Sequence, residues 1–170
     1  IPSLNVAMAM LAVGKTGRNL IDAPEGPADD PIWTKAFLFR GGARPGEPGV
    51  TTVIGHVDDT RARLDPFANI RLLHPGDFVE LVDQRSGQPM RYRITETRVV
   101  WEAATHSIAA LGRFFGMGAV SQRATDKAAD AASGVQRLTM MTCTGQWRGG
   151  GFDRRFFAFG VRDDPVAPTG

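Results

Sequence analysis

The chain has 170 residues and one cysteine, so it can bury a hydrophobic core without staples and cannot form an internal disulfide. Its 42% hydrophobic and 22% charged residues exclude a disordered chain, and no apolar run reaches the ~20 residues of a membrane-spanning helix. The net charge is only +2, and the basic residues are scattered among acids with no Lys/Arg block between aromatics, which argues against a nucleic-acid partner.

The chain begins at Ile1 rather than Met, and the expectation is that upstream residues, including an anchor, have been removed. Residues 1–13 read as extended, with partial alternation at Leu4, Val6, Met8 and Met10. A turn follows at 14–17 and a short strand at 19–21. Residues 22–31, D-A-P-E-G-P-A-D-D-P, are loop material. Trp33, Phe37 and Phe39 are expected to make local core contacts under that loop. The Gly/Pro-rich run 40–49 has neither P-loop nor dinucleotide-binding spacing and reads as a tight surface loop.

Residues 50–54 form an apolar strand that ends at Gly55-His56, before the polar run Asp58-Asp59-Thr60. Leu64, Phe67, Ile70 and Leu73 recur every third residue, predicting a short helix that starts near Asp65-Pro66. A hairpin follows, with strands at 78–82 and 90–100 around a Ser-Gly turn. The Ala-rich region 101–134 predicts one or two helices inserted between strands. Residues 135–144, V-Q-R-L-T-M-M-T-C-T, alternate as a strand with Cys143 at its end, and 144–151 read as a flexible loop carrying Trp147. The last strand spans 152–161, and the tail 162–170 is expected to fray.

So many short strands with short turns predict an all-β fold closed into a barrel, which also removes exposed strand edges. Cys143 and His56 both fall at strand ends, where a side chain held by the sheet can meet a ligand from above. On residue type alone, Cys143 is equally compatible with a packed thiol and a nucleophile. A metal site would need His56, His74, His106 and Cys143 together, and no two of them have zinc-ligand spacing, so no metal or other cofactor is implied. Asp58 and Asp59 read as a solvated acidic turn rather than as part of a triad.

Gly55-His56 after an apolar strand, T-M-M-T-C at 139–143 and an arginine entering the strand F-F-A-F-G resemble the sortase family of cell-surface cysteine transpeptidases. The segments I-P-S-L-N-V, G-E-P-G and R-L-L-H-P-G-D are also similar to sortase segments, and the general look is that of the actinobacterial-type D, E or F classes. The resemblance implies a single catalytic domain over 1–161, a closed eight-stranded β-barrel with short helices, and a helical insertion at about 101–134.

It also implies that Cys143 is the nucleophile, that His56 is its proton-transfer partner, and that Arg155 donates hydrogen bonds to substrate or to the developing oxyanion. A regular strand would turn Arg154 to the opposite face, although a bulge would exchange the two arginines. The implied partners are the L-P-x-T-G-like sorting-signal peptide of a secreted protein and an amine acceptor in peptidoglycan or a pilin. The implied location is the extracellular face of the cell membrane, held there by an anchor this chain lacks. Two alternatives stay open: a thiol peptidase that hydrolyses its thioester, and a non-enzymatic peptide-binding barrel with Cys143 buried and remote from His56.

Overall fold

A computed structural model describes residues 1–17, 20–106 and 134–164. Among them are seven strands: β1 (Met10–Val13), β2 (Ala36–Phe39), β3 (Gly49–Ile54), β4 (Phe78–Val82), β5 (Pro89–Trp101), β6 (Gln136–Arg148) and β7 (Gly151–Arg162). They form one sheet in the order β1-β2-β3-β6-β7-β5-β4. The β1–β2 and β3–β6 pairs are parallel and the other four are antiparallel.

The expected closed barrel of eight strands is instead a curled half-barrel of seven, with β1 and β4 as its edges. Side-chain packing joins the two edges where no ladder does. Met10 of β1 and Val79 and Leu81 of β4 belong to one core, which also takes in Ile1 and Leu4 flanking and ending the 3₁₀ turn Pro2–Leu4. That turn packs directly on β4.

The sheet is covered on both faces. Leu138 and Met140 of β6 and Phe156 and Ala158 of β7 enter the larger core with Tyr92, Ile94, Phe67 and Ile70. Their neighbours Met141, Phe157 and Phe159 point the other way, into a second core with Phe37, Phe39 and Ile54. Burial on both sides explains why F-F-A-F-G is almost continuously apolar instead of alternating with polar residues.

Several local expectations change. The region around Phe37 and Phe39 is not only a set of contacts under a loop, because it contains β2. The helix expected from the three-residue spacing is the 3₁₀ helix Pro66–Leu72, whose Phe67, Ala68 and Ile70 are buried. A repeat of three suits the 3.0-residue turn of a 3₁₀ helix better than the 3.6 of an α-helix. Residues 144–148, expected as loop, continue β6 through a bulge between Thr144 and Trp147, so Cys143 lies within that strand and not at its end as expected. Gly145 supplies the left-handed backbone there at φ 90°, and Asp153 Oδ1 accepts the Gln146 N–H at 2.8 Å.

At the tail, the Asp163 N–H donates to Arg91 O at 2.9 Å, so residues just past β7 are tied to β5. The helices expected within 101–134 lie outside the described residues, apart from the 3₁₀ turn Glu102–Thr105 that follows β5.

Gly55 follows β3 in a tight place. A Cβ there would come within 2.4 Å of the Phe67 Cγ, and Phe67 is itself buried in the larger core. Gly55→Ala is therefore expected to lower the unfolding free energy by about 1–3 kcal/mol through overpacking. Urea unfolding followed by tryptophan fluorescence checks this.

Candidate active site

β6 and β7 run antiparallel with Cys143 directly opposite Arg155. Directly opposed residues share a sheet face, so the thiol and this guanidinium rise from the same side. Arg154 is opposite Thr144 on β6 and Trp101 on β5, and its guanidinium carbon lies 4.4 Å from the centre of the Trp101 ring. The bulge in the β6–β7 ladder begins after Thr144, so the regular alternation expected for the two arginines holds at Cys143.

His56 arrives from β3. The parallel β3–β6 ladder ends with Ile54 beside Met141, and two further hydrogen bonds continue it: Gly55 N–H to Met141 O at 3.2 Å and Thr142 Oγ1 to Gly55 O at 2.9 Å. Two residues past the last paired position, His56 and Cys143 are level at the same end of the sheet.

The imidazole is roofed by the segment that precedes β2. His56 Nε2 lies 3.0 Å from Pro24 O, and because a carbonyl can only accept, Nε2 carries the hydrogen. The Trp33 ring packs on it at 4.7 Å between centroids, and Phe37 meets it edge-on at 5.5 Å. Trp33 is held by its own indole N–H, which donates to Pro27 O at 2.8 Å. Asp29 ties the same segment to Arg61 and Arg63 through ion pairs of 3.1 and 3.0 Å. Those pairs are more than half exposed and hold it only weakly.

Burial pushes the Cys143 thiol above its ordinary range, and Arg155 opposes that while the Asp58 and Glu102 carboxylates add to it. Burial thus outweighs the guanidinium and favours the neutral thiol. His56 is the imidazole level with it.

Three acids surround this end of the sheet. Asp59, expected in a solvated turn, is buried and organises the turn, accepting from Arg61 N and Arg63 N at 2.8 and 3.0 Å and pairing with Arg63 Nε at 2.6 Å. Asp58 lies within electrostatic reach of both His56 and Cys143. Asp65 is only 7% exposed, and its Oδ2 has no hydrogen-bond partner. Burial raises the Asp65 carboxyl to about 6, partly opposed by His56 and reinforced by Asp59 and Asp58.

A folded-state value above the unfolded one means stability that is full in acid and lost as pH rises through 6. A rise from 3.8 to about 6 corresponds to about 3 kcal/mol. Asp65→Asn removes that loss, so relative to the parent it is expected to gain about 2–3 kcal/mol between pH 4 and pH 8. Urea titrations of both proteins at the two pH values measure it.

Beside Arg155 lies an open cleft of about 610 Å³ lined by Trp101, Glu102, Arg148, Phe152 and Asp153. Trp147, expected on a flexible loop, is 65% exposed and meets Phe152 edge-on at 5.3 Å. His74 and His106 are both exposed, and His106 pairs with Glu102. Sequence reasoning missed Asp65, Glu102 and the roof over His56. The first read only as the start of a short helix, and the other two depend on contacts between distant segments.

A thiol on a curled β-sheet, opposite a guanidinium and level with an imidazole, has the groups of a cysteine-nucleophile enzyme. The sortase domain family model matches residues 1–163, and the chain belongs to the sortase family of cysteine transpeptidases. A search of curated proteins gives no match.

Solved structures similar to the chain include sortase C2 of pilus island 1 from Group B Streptococcus, at 16% identity and TM-score 0.58, covering 96% of this chain and 71% of that one. Streptococcus agalactiae sortase C1 in complex with MTSET is 19% identical with TM-score 0.60, over 98% and 68% of the two chains. Sortase A from Corynebacterium diphtheriae is 19% identical with TM-score 0.52, over 84% and 54%, so this chain spans about half the length of that relative. At these identities the likeness is one of fold.

Proposed function

We propose that this domain, residues 1–161, cleaves an L-P-x-T-G-like sorting signal between Thr and Gly and transfers the acyl part to an amine. Cys143 Sγ attacks the threonine carbonyl carbon as its proton passes to His56. The tetrahedral oxyanion collapses to a thioester, and the C–N bond breaks as His56 returns that proton to the departing glycine amine. An incoming amine then attacks the thioester, loses a proton to His56 and releases the sulfur, so a single imidazole serves both halves. Arg155 stays protonated throughout and donates hydrogen bonds to the oxyanion or to neighbouring substrate carbonyls.

The observation that carries this reading is the ladder register: Arg155 faces Cys143 across β6–β7 while β3 brings His56 level with both. That arrangement weighs against a peptide-binding barrel with a remote, buried cysteine. With Nε2–H held by Pro24 O, Nδ1 is the ring nitrogen left to take up the proton.

The reading extends to an anchored enzyme on the outer face of a Gram-positive membrane, acting on secreted proteins with peptidoglycan or pilin amines as acceptors. Among the described residues no helix is long and apolar enough to cross a membrane. Assignment to the D, E or F classes rests on the sequence segments alone.

The test is intact-mass spectrometry of the protein with a panel of sorting peptides, with and without oligoglycine and lysine-type amines. A Cys143-linked acyl adduct that turns into an amide product when amine is added is the expected result. An adduct released only as the free acid assigns a hydrolytic thiol peptidase instead, and no adduct across the panel overturns the catalytic reading.

A further inference from the structure

Glu102 begins the 3₁₀ turn that leaves β5, and β5 pairs with β7 so that Val100 lies opposite Arg155. The turn therefore emerges beside the arginine that faces Cys143. Glu102 Oε1 lies 3.4 Å from Arg155 Nη2 and also pairs with His106 Nε2. Thr105 Oγ1 donates to Glu102 O at 2.7 Å, fixing the turn that carries the acid. On its other side, Arg155 Nη1 donates to Phe152 O at 2.8 Å and Arg154 O at 3.0 Å.

We propose that Glu102 is a positioning residue for Arg155: its carboxylate holds one arm of the guanidinium at the rim of β7 while backbone carbonyls hold the other. His106 fixes the carboxylate from behind. The inference deepens the transpeptidase reading and rests on Arg155 acting beside Cys143.

The other charged groups near this end have partners or neighbours of their own. Arg148 and Asp153, which share the cleft, pair with each other at 3.3 Å, and Arg154 is stacked on Trp101. Asp58 faces Cys143 and His56 from the loop after β3.

The Arg155 and Glu102 side chains are 18% and 28% exposed, whereas the surface pair Arg61–Asp29 is 59% and 69% exposed. A partly buried pair is screened less, and fixing a planar fork at two points lowers the freedom it must lose when it binds a carbonyl or an oxyanion. The arrangement has an electrostatic cost, because Glu102 sits close enough to Cys143 to disfavour the thiolate. An acid kept there against that cost fits a role in geometry rather than in raising the thiolate population.

The test combines a reading without substrate and one with it, on Glu102→Gln, Glu102→Asp and His106→Gln. In the substrate-free protein, ¹⁵N relaxation of the Arg155 Nε–H group is expected to show a lower order parameter in Glu102→Gln, with Glu102→Asp recovering most of it. In transfer assays kcat is expected to fall on the order of 10-fold in Glu102→Gln with KM within about 2-fold, as for loss of an interaction made in the transition state. His106→Gln is expected to change both readings in the same direction and by less. In an Arg155→Met background the Glu102→Gln effect on kcat should vanish, since Glu102 acts through that side chain.

An unchanged Arg155 order parameter in Glu102→Gln overturns the proposal, as does a kcat effect that persists in Arg155→Met. If the parent protein transfers no acyl group from any peptide, the transpeptidase reading fails, and the relaxation measurement still decides whether Glu102 holds Arg155. Should Glu102→Gln fail to fold, Glu102→Asp and His106→Gln carry the same two readings.

Discussion

Cys143→Ala is expected to eliminate every covalent acyl adduct and lower transfer by more than about 1000-fold while leaving the sheet intact. Nothing else in the chain can form the thioester, because Cys143 is the only cysteine. The fold survives because the side chain is only partly buried, and because Thr142 Oγ1, one residue earlier, keeps its hydrogen bond to Gly55 O. Removing one sulfur atom from such a place costs about 1 kcal/mol. Intact-mass spectrometry reads the adduct, and circular dichroism with a urea titration reads the fold.

The same sulfur makes a prediction about pH. Burial raises its thiol above the ordinary value, so in the substrate-free protein its alkylation by iodoacetamide at pH 7 should be slower than that of free cysteine and should climb steeply into the alkaline range. Fast alkylation at pH 7 would mean that the resting protein already holds a thiolate, contrary to the balance of burial and charge around it.

The second large effect separates the two arginines. Arg155→Ala is expected to lower kcat by about 100- to 1000-fold, the scale of losing a preorganised oxyanion donor. Arg154→Ala should stay within about 3-fold, because its guanidinium is spent on the Trp101 ring from the opposite face. Arg155→Lys keeps the charge but loses the planar fork that bonds Phe152 O and Arg154 O on one arm and Glu102 on the other, so it should recover only part of the rate. Steady-state kinetics on the three variants with one sorting peptide and one amine give the comparison. Equal small losses from both alanine variants would remove Arg155 from the mechanism.

Much of the arrangement was legible in the chain because β-strands have a period of two. The period of two in the strands R-L-T-M-M-T-C and R-R-F-F-A-F-G puts Cys143 on one face of its strand and Arg155 and Arg154 on opposite faces of the next, and the bulge that could have shifted them begins only after Thr144. The run V-T-T-V-I-G-H likewise carries His56 off the end of a buried strand. Local punctuation also marked the hairpin of β4 and β5 and the turns at Gly76 and Gly87, whose backbones are left-handed.

Where local pattern was weak, expectation departed from the structure. Ala36–Phe39 is four residues long and buried on both faces, so it lacked an alternation to mark it as a strand. The β6 extension through Gly145 looked like a loop because its hydrogen bonding depends on Asp153, which lies beyond the turn.

By itself the sequence determined that the fold is built from β-strands, that one histidine follows the end of an apolar strand, and that the two adjacent arginines take opposite faces of theirs. These are consequences of local periodicity, which a strand expresses wherever it is placed. Only the tertiary structure decided that seven described strands leave an open half-barrel joined by side chains. It also decided that Pro24 and Trp33 roof His56, that Asp65 is buried with an unpaired oxygen, and that Glu102 grips Arg155. Each of those joins segments far apart in the chain, so burial and charge there depend on neighbours that no local pattern records.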